Sequence, residues 1–207
     1  MASPDIRQAR IHHVNFFTTQ LDTMIEWYGV VLGMKVHFCA PGLLAFLSND
    51  DANHRLALTT MPTLVRDAEK RRHDRLHHVA FEYDSFDDLN ATYLRLRELG
   101  ITPRACLDHQ MTFSYYYEDP DGNYVELQVD DFGDWAKSSE FIRTSPRFAT
   151  NPVGAFLDPE RVAAAYAGGM TFELIRERLW ATDDFRPQSF DLGLPPGSPS
   201  LVPPAKW

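Results

Sequence analysis

The sequence predicts an α+β fold made of two copies of a βαβββ unit. Two stretches, RIHHVNFF at residues 10–17 and RLHHVAFEY at residues 75–83, place the same His-His-Val 65 residues apart. Each is followed by an amphipathic helical pattern that ends at a glycine, and these glycines, Gly33 and Gly100, lie 67 residues apart. Because one such unit is too small to bury a good core, we expect the sheets of the two units to pair.

The first predicted unit spans residues 8–66 and opens with a strand at 11–18. Thr19 is the predicted N-cap of the helix, and Asp22 suits the positive helix N-terminus. The helical face repeats apolar residues and ends at Gly33; its members are Leu21, Ile25, Tyr28 and Leu32. Short strands are then predicted at 34–39, 43–48 and 55–60, separated by turn-forming residues.

The second predicted unit spans residues 74–132 and repeats this order. A strand at 77–83 leads to a helix capped by Ser85, with Asp88 at the third helical position. The helix carries the apolar stripe Phe86, Leu89, Tyr93 and Leu96 and ends at Gly100. Strands are predicted at 102–107, 112–118 and 123–129, and the stretch DPDGN at residues 119–123 predicts a tight turn between the last two.

Residues 133–207 form a predicted C-terminal extension with two short helices. Asp158 caps the first, which ends at the glycine pair 168–169, and Thr171 caps the second, which runs to Trp180. From Phe185 onward proline and glycine dominate, as in Val202-Pro203-Pro204. We expect this tail to be extended and to cover the partner module or another subunit.

The composition excludes some classes of function. A formal charge of −9 disfavours binding of nucleic acid, which needs a basic surface. No apolar run is long enough to span a bilayer and no signal peptide is recognised, so we expect a cytoplasmic protein without a membrane partner. Cys39 and Cys106 are expected to be free thiols. We also expect a homo-oligomer.

Strand alternation identifies three candidate metal ligands. The apolar residues next to each His-His pair should face the helix, which turns His13 and His78 to the opposite face. The same argument turns Glu126 into the cavity, with Tyr116 opposite it if the hairpin is symmetric about Asp121. A single inward histidine is usually a satisfied core residue, but three such groups at equivalent ends of a duplicated unit favour a metal. Two imidazoles and a carboxylate suit Fe(II).

The quoted stretches, together with YYYEDPDGNYVELQ at residues 115–128, resemble the vicinal oxygen chelate superfamily over about residues 8–135. Within it the chain most resembles the type I extradiol, or catechol meta-cleaving, dioxygenases. The resemblance implies one open-barrel domain, Fe(II) or Mn(II) as the metal, and a small aromatic diol and O2 as substrates. It also implies a ring-opened product of the 2-hydroxymuconic semialdehyde type. This chain has one paired-module domain where the larger members have two.

The resemblance assigns three further roles. His54, in the stretch NHRLAL, matches the histidine that acts on bound oxygen. His109 and Tyr116 match the residues that hydrogen-bond the substrate, although His109 lies two residues nearer the tyrosine than in the two-domain members. Aromatic residues that we consider for the ring-binding wall are Phe17, Phe46, Phe113 and Tyr124.

Two other readings stay open. One is another metal-dependent member of the superfamily, such as a glyoxalase-like lyase or isomerase or a thiol transferase. Such sites place a second carboxylate or amide in the first unit, and the matching stretch RLALTT at residues 55–60 has none. The other is a binding module of the bleomycin-resistance type, which would lack the set His13, His78 and Glu126.

Overall fold

The computed structural model of the protein describes residues 8–198, and these divide into two compact units between Asp67 and Ala68. The predicted α+β class is confirmed. The described part of the first unit holds a four-stranded sheet, and that of the second holds a five-stranded sheet. Residues 8–198 form six α-helices in all, and two of these are the helices predicted for the two βαβββ units.

The first unit has the predicted βαβββ order. Its elements are β1 (Val14–Phe17), α1 (Leu21–Leu32), β2 (Lys35–Ala40), β3 (Leu44–Ser48) and β4 (Leu56–Thr59). The sheet order is β1-β4-β3-β2, with β1 and β4 parallel and the other pairs antiparallel. The connection through α1 therefore leads to the far edge of the sheet at β2, and the two hairpins bring the chain back so that β4 lies beside β1.

The start of α1 differs from the prediction, whereas its end does not. Gly33 ends the helix with a φ of 65°, in the left-handed region that favours glycine. The predicted cap Thr19 is wrong, because Gln20 occupies the N-cap position without a capping side-chain bond. Instead the hydroxyl of Thr18 accepts from the Gln20 N–H at 3.0 Å, and the helix begins at Leu21, one residue later than a cap at Thr19 predicts.

The second unit repeats the order with β5 (His78–Tyr83), α2 (Phe86–Glu98), β6 (Ala105–Asp108), β7 (Thr112–Glu118) and β8 (Tyr124–Asp130). Ser85 caps α2 as predicted, since its hydroxyl accepts from the Asp88 N–H at 3.2 Å. The sheet order is β5-β8-β7-β6, followed at the edge by a short strand of the extension, so β8 lies between the first strand of the unit and its hairpin partner β7. This arrangement brings side chains of three strands to one face.

The extension is more structured than predicted. It contains α3 (Trp135–Thr144), α4 (Pro146–Thr150), β9 (Ala155–Phe156), α5 (Pro159–Ala167) and α6 (Phe172–Ala181). The last two helices and their caps, Asp158 and Thr171, agree with the prediction. The prediction of only two helices is wrong for residues 133–198, which hold four. Because β9 pairs with β6, the extension is part of the sheet of the second unit.

The tail lies on the second unit itself. Phe190 stacks on Phe156 with ring centroids 3.7 Å apart, and the Asp191 N–H donates to the Arg104 carbonyl at 2.7 Å. Arg71 pairs with the Asp191 carboxylate at 2.9 Å. The tail therefore covers the module that it follows in sequence. Its predicted end, including Val202-Pro203-Pro204, lies outside the described residues.

Both cysteines are free thiols, as expected, with Cys39 exposed and Cys106 buried. Among the helices formed by residues 8–198, none has the length and apolar character needed to cross a membrane.

Replacing Gly193 by alanine tests the packing of the tail. A Cβ there would lie 2.4 Å from the Tyr124 ring, so the tail or the ring must move. Gly197 is the matched control, because it also has positive φ but a Cβ there meets nothing within 4 Å. We expect Gly193→Ala to lower the free energy of unfolding by about 1–3 kcal/mol more than Gly197→Ala, measured by urea denaturation. Equal losses would contradict this packing.

Candidate active site

A buried carboxylate, Glu126, lies at the centre of the site in the second unit. It belongs to β8 and stands opposite Tyr116 of β7, the register that the sequence predicts. The Tyr116 hydroxyl donates to Glu126 Oε1 at 2.8 Å. Glu126 is only 5% exposed, so these contacts must replace the water that it loses.

The turn between β7 and β8 fixes this register. The carboxylate of Asp119 accepts from the main-chain N–H of Asp121 at 3.0 Å and of Asn123 at 2.8 Å. Its other oxygen accepts from the Asn123 side-chain amide at 2.8 Å. Gly122, with a φ of 79°, supplies the left-handed position of the turn. A fixed turn length matters because a slip by one residue would send Tyr116 to the other face of the sheet.

His78 approaches Glu126 from the neighbouring strand. It is the first residue of β5, which runs parallel to β8 with Ala80 as the register partner of Glu126. His78 Nε2 lies 3.0 Å from Glu126 Oε2. This distance suits a hydrogen bond between the two atoms, and it also suits two atoms that bind the same cation.

The neighbouring ring, His77, determines which nitrogen of His78 is protonated. His77 Nε2 lies 2.7 Å from the Leu192 carbonyl, which can only accept, so this nitrogen carries the proton. A neutral His77 then accepts at Nδ1, which lies 2.7 Å from His78 Nδ1. A neutral His78 consequently has its lone pair at Nε2, directed at a carboxylate oxygen. Two facing lone pairs require a proton or a cation between them.

His109 lies at the far side of Tyr116. Its Nε2 is 2.9 Å from the Tyr116 hydroxyl, and its Nδ1 contacts the Val153 carbonyl. The carbonyl again places the proton on Nδ1 and leaves a lone pair on Nε2. Tyr116 has one proton for two acceptors, Glu126 and His109, so it can satisfy only one of them at a time.

Burial sets the protonation of these groups. It lowers the pKa of His109, so the imidazole is neutral near pH 7. Burial, reinforced by the charge of Glu126, raises the pKa of Tyr116 far above its usual value and keeps the phenol protonated. Burial also opposes ionisation of Glu126, but the adjacent His78 ring, a hydrogen bond from Ser114 and the nearby His109 outweigh it and hold the pKa of that carboxyl below its usual value.

The first unit carries its own group of histidines. His13 precedes β1, and its ring centroid lies 4.3 Å from that of His54. His12 joins them, so one ring nitrogen from each of the three lies within 4.8 Å of the others. His54 also stacks on Phe46 at 4.6 Å. Partial burial, together with the charges of His13 and His12, lowers the pKa of His54.

Alternation assigns His12 and His77 to the helix-facing side, and the structure corrects both assignments. His12 Nδ1 lies 3.1 Å from His13 Nδ1, and His77 stacks on Tyr124 with ring centroids 5.5 Å apart. The physical reason is that β1 begins at Val14 and β5 at His78, so neither residue lies within a strand. Alternation holds only inside a pleated strand.

Two of the four aromatic residues considered for the ring-binding wall are core residues. Phe113 is fully buried and packs edge-on against Phe86 and Phe172. Tyr124 is fully buried beneath Gly193. Phe17 and Phe46, in the first unit, are the two that are not fully buried.

The structure thus places the six predicted site residues in two groups, each described within its own unit. Glu126, His78, Tyr116 and His109 are connected by contacts inside the second unit. His13 and His54 lie together in the first. The contacts from Leu192 and Val153 were not predicted, because no local sequence pattern signals a carbonyl that comes from a distant segment.

Comparison with known proteins gives consistent matches. A family model of the glyoxalase/bleomycin resistance protein/dioxygenase superfamily matches residues 10–127. The chain is 34% identical to biphenyl-2,3-diol 1,2-dioxygenase 2 of Rhodococcus globerulus, over 83% of this chain and 88% of that protein. It is 36% identical to biphenyl-2,3-diol 1,2-dioxygenase 3 of the same organism, over 83% and 90%. The first alignment spans 171 residues and therefore continues beyond residue 127 into the extension.

Among solved structures, a glyoxylase/bleomycin resistance protein/dioxygenase domain from Frankia sp. EAN1pec matches with a TM-score of 0.52. It is 18% identical and covers 62% of this chain and 96% of its own. This likeness concerns the fold alone.

Replacing Asp119 by alanine tests whether the turn holds the hairpin. The change removes three hydrogen bonds, from two main-chain N–H groups and one side-chain amide, in a turn whose two ends, Asp119 and Asn123, are buried. We expect the free energy of unfolding to fall by about 1–3 kcal/mol, measured by urea denaturation. Asp84→Ala, at an exposed position of the same unit, is the control and should change little. An unchanged midpoint for Asp119→Ala would show that the turn does not depend on this carboxylate.

Proposed function

The chain belongs to the glyoxalase/bleomycin resistance protein/dioxygenase superfamily, and from this premise we propose that it is an Fe(II)-dependent extradiol dioxygenase. It would insert both atoms of O2 into a catechol-type substrate beside the diol and yield a 2-hydroxymuconic semialdehyde-type product. The names of both relatives support this choice. They state a 2,3-diol and a 1,2-dioxygenation, so the bond that is opened lies next to the diol and not between its hydroxyls.

The observation that carries the proposal is the connected group His78, Glu126, Tyr116 and His109. A structural role alone would not require a buried carboxylate flanked by two imidazoles and a phenol, since an apolar core is easier to satisfy. Tyr116 and His109 add hydrogen-bonding groups next to the two donors, which suits a substrate that carries two oxygens. The glyoxalase-like alternative is less favoured because β4 carries no carboxylate.

The residues present fit a divalent metal. His78 Nε2 and Glu126 Oε2 are 3.0 Å apart with lone pairs directed at each other, which a cation would satisfy. We propose His13 as the third ligand, on the basis of the sequence duplication that makes it the counterpart of His78. Two imidazoles and one carboxylate leave coordination positions for substrate and O2 and suit Fe(II), with Mn(II) as the alternative.

Bound Fe(II) would supply a Lewis acid that lowers the pKa of a catechol hydroxyl and allows electron transfer between the diol and O2. The Nε2 lone pair of His109 can accept a hydrogen bond from the remaining hydroxyl of the diol. The Tyr116 phenol stays protonated and can donate to the developing oxygen anion. His54, with its lowered pKa, is neutral near pH 7 and can accept and return a proton in the oxygen-dependent step. The cytoplasmic location and the homo-oligomer stay predictions.

Oxygen uptake by the reconstituted protein tests the proposal. After anaerobic loading with Fe(II), we expect one O2 to be consumed per molecule of catechol, 3-methylcatechol or 2,3-dihydroxybiphenyl. A yellow, pH-sensitive product should appear with each accepted diol. Resorcinol, whose hydroxyls cannot bind one metal together, is the control. Full iron loading without oxygen uptake on any diol would refute the proposal, and turnover of a glutathione hemithioacetal would support the glyoxalase-like alternative.

Metal analysis of single variants tests the ligand set. His13→Ala, His78→Ala and Glu126→Ala should each lose stoichiometric iron, because each removes one donor. The matched control is His12→Ala, which removes the neighbouring imidazole and should keep the iron. His54→Ala should also keep it but lose about 100-fold or more of its turnover, since proton transfer by a positioned group contributes about that much. A ligand variant with full iron, or a His54 variant with normal turnover, contradicts the role assigned to that residue.

A further inference from the structure

The turn that carries His109 has an unusual backbone. It connects β6 to β7, and its next residue, Gln110, has a φ of 73°. Among residues 8–198 it is the one non-glycine residue with positive φ. Side chains other than glycine rarely adopt this conformation, so it persists only where surrounding contacts enforce it. The contacts that hold this turn therefore decide where His109 points.

Helix α6 of the extension supplies the first set of contacts. The carboxylate of Asp108 is fully buried and accepts from Arg176 Nε at 3.0 Å and from Trp180 Nε1 at 3.1 Å. It also accepts from the Gln110 N–H at 2.6 Å, which bends the chain around His109. The guanidinium of Arg176 reaches the other side of the turn, where it donates to the Gln110 carbonyl at 3.2 Å.

Arg176 is itself held in place. It also pairs with Asp131, a second buried carboxylate, at 2.6 Å. One planar guanidinium thus contacts two carboxylates and one main-chain carbonyl. Lysine could not reproduce this, because its ammonium is a single point of charge.

Residues 151–154 supply the second set of contacts. The Gln110 side-chain amide donates to the Asn151 carbonyl at 2.8 Å, and the Val153 carbonyl accepts from His109 Nδ1. The main chain approaches closely at Gly154, where a Cβ would lie 2.2 Å from the Asp108 carbonyl oxygen. Both sets of contacts come from residues beyond 127, the end of the family match.

We propose that Arg176 is a positioning residue that acts through Asp108 and Gln110 to hold His109 with Nδ1–H on Val153 and the Nε2 lone pair toward Tyr116 and the substrate. The role in substrate binding rests on the proposed function, whereas the placement of the His109 ring does not. The extension thereby completes the site, because Arg176, Trp180 and the Val153 carbonyl, which hold the turn and the His109 ring, all belong to it.

Steady-state kinetics in two backgrounds test this role. Arg176→Met should lower kcat at least 10-fold and change KM less than 3-fold, because His109 no longer accepts its hydrogen bond whereas the proposed metal would still hold both substrate oxygens. In a His109→Ala background the same change should lower kcat less than 2-fold, since there is no ring left to position. Arg178→Met is the matched control, from the same helix and with an exposed partner, Asp184, at 3.2 Å. An equal loss of kcat in both backgrounds would overturn the proposal.

A second readout does not depend on turnover. The full chain, loaded with Zn(II) as a diamagnetic substitute and labelled with ¹⁵N-histidine, should show His109 as a single Nδ1–H tautomer. Arg178→Met should preserve this signature and Arg176→Met should lose it; an unchanged signature in Arg176→Met overturns the proposal. If these spectra behave as expected and no diol is consumed by the wild-type protein, the proposed function fails and the positioning role stands. Should Arg176→Met not fold, Arg176→Lys, which keeps the charge, replaces it with the same criteria.

Discussion

The need to satisfy one buried carboxylate organises the second unit. Glu126 has lost nearly all its contact with water, and an isolated carboxylate in that position would be very costly. Its two oxygens meet groups from two neighbouring strands, His78 of β5 on one side and Tyr116 of β7 on the other. Both contacts require that β8 lie between these strands, and this is the sheet order that the βαβββ connection produces.

The chain of contacts that starts at Glu126 ends in the extension on both sides. Through Tyr116 it reaches His109 and the Val153 carbonyl, and through His78 it reaches His77 and the Leu192 carbonyl. A carbonyl can only accept, so each end fixes the proton on one imidazole nitrogen and leaves the other as a lone pair. The extension therefore determines which ring nitrogens can accept protons or bind a cation.

The sequence is sufficient to predict those features that short-range chemistry determines. Glycine ends α1, Ser85 and Asp158 cap their helices, and the turn after β7 sets the Tyr116–Glu126 register, all within a few residues of the signal. Features that depend on distant partners were missed. Strand β9 has only two residues and exists because β6 pairs with it, and α3 lies mostly on the surface, with one small buried residue, Ser138.

The same distinction applies to the site. Alternation correctly turns Tyr116 and Glu126 toward each other, because both lie inside strands. It fails for His12 and His77, because both lie before the first residue of the strand that follows. The sequence pattern does not fix the first residue of a strand to within one position. The register also shows how the two units differ. Ala80, two residues after His78, pairs with Glu126, and Asn15, two residues after His13, pairs with Ala57. Alanine thus stands where the duplication would put a second carboxylate. With that position lacking a donor, the proposed ligand set has three members, and three is the number that leaves a divalent metal open to both oxygens of a diol and to O2.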